Sequence, residues 1–92
     1  MTVTDRMNEK LTAGLSPLHL SIVDDSHKHE GHSGWREGGQ THFRVEIVSE
    51  QFSGKSRVER QRMVYALLAD ELAETVHALQ LKTLAPSEYT RR

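Results

Sequence analysis

Ninety-two residues, 36% of them hydrophobic and 27% charged, are enough for one domain built around a single small core. A formal net charge of −1 excludes bulk attraction to DNA or anionic membranes, and the absence of cysteine removes disulfides, thiolate ligands and thiol catalysis. The opening MTVTDRMNEK lacks the apolar run of a secretory leader and no segment is long enough to span a bilayer, so a soluble cytoplasmic protein is expected.

In chain order, Thr4 and Asp5 read as a helix start, an oxygen cap followed by an acid in the first turn. Met7, Leu11 and Leu15 recur every four residues and make one apolar stripe. Gly14 and the pair Ser16–Pro17 are expected to stop this helix. LHLSIVD, residues 18–24, alternates, with Leu18, Leu20 and Ile22 on one face and His19 and Ser21 on the other, which predicts a half-buried strand. Residues 25–40 hold four glycines, three histidines and no apolar periodicity. They form a loop longer than a hairpin needs, and long ordered loops in small domains tend to carry function.

THFRVEIVS follows, with Phe43, Val45 and Ile47 facing in and His42, Arg44 and Glu46 facing out. A turn around Ser53–Gly54 leads to a second helix over 57–73, striped by Val64, Leu67, Leu68 and Leu72, with Arg60, Arg62, Asp70 and Glu74 in solvent. VHALQLKTL, residues 76–84, is the third strand, and Pro86 ends it before a short tail with room for a helical turn. The order predicts a single α+β domain over 1–92, an αββαβ(α) two-layer sandwich with helices on one face of a three-stranded sheet.

Two short motifs have plain structural readings. GKS at Gly54–Ser56 sits where a phosphate-binding loop would, but Ser49 stands where that motif needs its first glycine. It reads as a turn glycine and a serine near a helix start. GHSG at Gly31–Gly34 matches a G-x-x-G nucleic-acid clamp in letters, yet that clamp joins two helices and this stretch lies between two strands. Lys55, Arg57, Arg60 and Arg62 gather around the second helix start, opposed locally only by Glu59. A solvated face is the plain reading; a phosphate or acidic partner, relieving positive charge at a helix N-terminus, is the functional one. No nucleophile elbow, Ser-His-Asp spacing or isolated carboxylate pair is present, so an enzyme is not expected.

Histidine is the residue type that stands out, with six in the chain. His19 and His42 fall on the solvent faces of their strands. His77 is in phase with Leu79 and Leu81 on the expected core side, where a histidine is more often a hydrogen-bonded core residue than a ligand. His27, His29 and His32 have the H-x-H-x-x-H spacing of a chelator in a flexible segment, and neutral imidazoles suit zinc, copper and iron. Such clusters also arise in solvated loops. Two ligand sources are therefore on offer, and whether they meet stays open.

THFRVEIVSEQFSGKSRVERQRMVYALLADEL, taken with VHALQLKTLAPSE, resembles the BolA family from about Leu11 to Glu88. The specific parts are the HFRVEIVS strand, the F-x-G-K-S turn running into R-x-R-x-V-Y, and VHAL. One departure is Arg60-Gln61-Arg62, where the family commonly has histidine between two arginines; any role of that histidine is lost or displaced here. The resemblance implies a fold like that of class II KH domains and pairing with a monothiol glutaredoxin. In such pairs a [2Fe–2S] cluster is shared: the glutaredoxin and its glutathione supply thiolates, and the BolA-like protein supplies imidazole. The chain alone would carry no cofactor and would be a monomer or weak homodimer.

The family's constant histidine matches His77, and its variable loop between the first two strands supplies the second ligand. Aligning that loop from VDDSHKH selects His29, and aligning it from THF selects His32. Because imidazole ligands can be protonated, stability of the shared cluster should depend on pH. Family members have also been assigned transcriptional regulation. That makes DNA the alternative partner and Lys55, Arg57, Arg60 and Arg62 the surface for it.

Overall fold

The computed structural model describes residues 2–25 and 42–89, so His27, His29, His32 and the Gly31–Gly34 motif lie outside the described residues. Helix α1 runs Val3–Leu15. Its cap is Thr2, not Thr4, because the acid at Asp5 closes a reciprocal box from three residues further on. The Thr2 hydroxyl accepts from the Asp5 N–H at 3.0 Å, and the Asp5 carboxylate accepts from the Thr2 N–H at 3.1 Å. Ser16 ends the helix in the left-handed region at φ 44°, its N–H donating to the Thr12 carbonyl at 3.0 Å. Gly14 does not stop α1 but lies inside it, and a Cβ there would come within 2.7 Å of Leu67 Cδ2. Its role is close approach of two helices.

Strands β1 (His19–Asp24) and β2 (His42–Val48) pair antiparallel, and β3 (Ala78–Leu84) pairs parallel with β2, which is therefore the central strand. Parallel pairing requires a crossover. It is made by a 3₁₀ turn at Glu50–Phe52, helix α2 (Arg57–Leu67) and helix α3 (Ala69–Glu74). The single helix expected over 57–73 is thus two, broken at Leu68 (φ −103°, ψ 17°), and α3 restarts with Asp70 and Glu71 favourably placed in its first turn. A last turn, α4 (Pro86–Tyr89), is tied to the sheet by Tyr89 stacking on His19, ring centroids 5.4 Å apart. No helix among the described residues is long and apolar enough to cross a membrane.

One core joins Met7, Leu11 and Leu15 of α1 to Phe43, Val45 and Ile47 of β2, with Phe52, Val64, Leu68 and Val76. The α+β arrangement with helices over one sheet face is as expected. Leu67, Leu79 and Leu81 are only half-buried, however, and β3 explains the latter two: an edge strand has a neighbour on one side only. Leu18 falls before β1 and is 70% exposed. Asp70 and Glu74 are solvated, but Glu71 between them is fully buried. Its carboxylate sits 2.8 Å from Arg6 Nη2 and 2.9 Å from Lys10 Nζ, which binds α3 to α1.

Candidate functional site

At one end of the sheet β1 finishes while β2 and β3 begin. The Asp25 N–H donates to the His42 carbonyl at 2.8 Å, carrying the β1–β2 ladder one residue past β1. The buried Asp25 carboxylate pairs with the Arg44 guanidinium through Nε, and Nη2 stands 3.4 Å from its second oxygen. Both stems of the 26–41 segment are therefore pinned to this end. On the other side of β2, His42 is in register with Ala78, so His77 is the residue just before β3 starts. The imidazoles of His42 and His77 lie 6.4 Å apart, tilted by 38°.

His77 is exposed. The alternation of Leu79 and Leu81 predicts it on the core side, but β3 begins only at Ala78 and the core is closed there by Val76 instead. The Val76 N–H is anchored on the Glu71 carbonyl at 2.9 Å. An exposed imidazole on an anchored backbone can offer one metal bond without loosening the fold. It cannot make a closed site alone: among the described residues no three His, Cys, Asp or Glu side chains gather around one point. His42, assigned a merely polar role from the sequence, is brought beside His77 by the parallel register, which strand periodicity alone does not reveal.

The basic cluster divides. Lys55, Arg57 and Arg62 are exposed, as expected. Arg60 is not: its side chain is 11% accessible and bound on several sides. Nε donates to the Lys55 carbonyl at 3.0 Å, and Nη1 donates to the Thr83 carbonyl at 3.0 Å and to Glu88 Oε1 at 2.7 Å. Arg60 joins α2, β3 and α4 and is no contact for a phosphate. The helix start is also satisfied internally. Ser56 and Glu59 form a second capping box, with the Glu59 N–H 3.1 Å from Ser56 Oγ and the Ser56 N–H 2.8 Å from Glu59 Oε1. The backbone N–H of Ser56, its hydroxyl, and then the charges of Lys55 and Arg62 hold the Glu59 carboxyl below its ordinary pKa. Gly54 at φ 77° makes the preceding turn, so GKS is turn and cap. In place of Arg60 the structure brings Lys82 of β3 to the same cleft as Lys55 and Arg57, a juxtaposition that long-range pairing creates.

The BolA-like protein family model matches residues 11–88. The chain belongs to the BolA-like family. The Escherichia coli (strain K12) DNA-binding transcriptional regulator BolA is 40% identical over 89 residues, covering 97% of this chain and 81% of that protein. The Arabidopsis thaliana SufE-like protein 1, chloroplastic/mitochondrial, is 44% identical in an 87-residue alignment that covers 90% of this chain but only 24% of that longer protein. The structure of BolA1 from Arabidopsis thaliana superimposes with a TM-score of 0.84 at 41% identity over 96% of both chains. Of these three relatives, the Escherichia coli protein bears the name of a transcriptional regulator.

Proposed function

We propose that this BolA-like protein pairs with a monothiol glutaredoxin and shares a [2Fe–2S] cluster with it, in iron–sulfur trafficking, iron sensing or redox regulation. His77 supplies one imidazole, and His29 or His32 the second. The observation that carries the reading is the placement of exposed His77 at the sheet end where both stems of the histidine-bearing segment are fixed. The lack of cysteine fits a half-site, since the thiolates then come from the glutaredoxin and its glutathione. The test is to mix the chain with a cluster-loaded monothiol glutaredoxin and record visible circular dichroism. A new spectrum is expected with the parent and its loss with His77→Ala; an unchanged spectrum and lifetime in that variant removes the assignment.

A DNA-binding regulator is the second reading, favoured by the name of the Escherichia coli relative and by exposed Lys55, Arg57 and Arg62. Binding through phosphates weakens steeply with added salt, whereas cluster sharing responds far less. Exchanging Lys55, Arg57 and Arg62 together for alanine should abolish duplex binding and leave glutaredoxin pairing intact. Equal DNA affinity in the triple variant and the parent removes this reading.

A further inference from the structure

Between the start of α2 and the second half of β3 lies a cleft of about 400 Å³. Lys55, Arg57 and Lys82 line it, all three exposed, and none is within ion-pair distance of a carboxylate among the described residues. The cleft already holds one carboxylate. Glu88 stands 2.7 Å from Arg60 Nη1 and 2.6 Å from the Ala85 N–H, so the chemistry of the site is shown by the chain's own acid. That contact neutralises Arg60 and leaves the three outer cations without a direct ion pair among the described residues, Glu59 acting on Lys55 only from further off. Leu81 and Leu84 give the same cleft an apolar lining.

We infer that this cleft docks an acidic segment of a protein partner, its Asp or Glu side chains meeting Lys55, Arg57 and Lys82 and an interleaved apolar side chain meeting Leu81 and Leu84. A nucleic-acid backbone suits it less well. Phosphates follow one another along an extended track, whereas these cations converge on a single cleft with an apolar lining. Charge at the rim of an interface chiefly sets encounter rate and partner choice, and the apolar lining adds contact area. The inference does not depend on cluster sharing, because its test uses the chain without a cluster.

Isotope-labelled full-length chain is titrated with a short peptide of alternating glutamate and leucine, with its glutamine–leucine counterpart, and with a short DNA duplex, each followed by amide chemical shifts. The glutamate peptide should move the signals of Lys55, Arg57 and Lys82. The charge-reversed pair Arg57→Glu with Lys82→Glu should weaken binding roughly tenfold or more while keeping the amide pattern of the core. Should that pair misfold, Arg57→Gln with Lys82→Gln serves the same purpose. The inference is overturned if those signals stay still or the variants bind as the parent does. Equal binding of the glutamine peptide, or a response to the duplex alone, overturns it too.

Discussion

Exchanging His77 for alanine removes an exposed imidazole and no buried contact, so unfolding free energy should stay within about 0.5 kcal/mol of the parent in a urea titration. Loss of the proposed shared cluster in that variant would then be chemical, not a folding defect. Arg60 is the contrasting case. Arg60→Ala deletes bonds to the Lys55 and Thr83 carbonyls and to Glu88, and should cost about 1–3 kcal/mol. Lys55→Ala and Arg57→Ala should each stay within about 0.5 kcal/mol in the same titration. Composition made these cations look alike; only the approach of β3 and α4 to α2 separates a strut from a solvated charge. The same holds for His42, whose neighbour is 35 positions away in the chain (77 minus 42).

Elements meet through details that strand and helix periods do not encode. Gly14 reads as a stop from its type alone, yet it is the point where α1 makes room for Leu67 of α2. Alanine at Gly14 gains about 1 kcal/mol of helix propensity but pushes a half-buried leucine aside, a crowding that costs about 1–3 kcal/mol. A double-mutant cycle separates the two effects: Gly14→Ala should stabilise the Leu67→Ala background and lose that benefit in the parent.

Between α1 and α3, burial opposes the charge on Glu71, but hydrogen bonds from Lys10 and from its own backbone N–H, and the charges of Lys10 and Arg6, outweigh it and lower its pKa. A carboxylate with a lowered folded pKa contributes stability that is full above its unfolded value, about 4.3, and is lost as pH falls from there through the folded value. Glu71→Gln should therefore cost about 1–3 kcal/mol at neutral pH and flatten the acid limb of the stability curve. Asp5 and Glu59, lowered in the same direction by their capping boxes, contribute to that limb in parent and variant alike. The difference between the two curves isolates Glu71.

For the molecule as a whole, Leu68 is the junction of α2 and α3 and is fully buried in the one core. Leu68→Ala should cost about 2–5 kcal/mol, a large part of what a domain this size holds, and lower the thermal midpoint accordingly. The order of elements, the inward face of β2 and the stripe of α1 were legible because each is a local period. The break at Leu68, the burial of Glu71 and the exposure of His77 were not, since each depends on where one element ends against another.

Pairing β3 parallel to β2 also fixes what happens downstream of it. The chain enters β3 beside His77 and leaves it seven residues later, so α4 begins about 20 Å further along the sheet. A fluorophore, an affinity handle or a second folded unit joined beyond Tyr89 is thus held a strand's length from the histidine end, and can be added without crowding a visitor there.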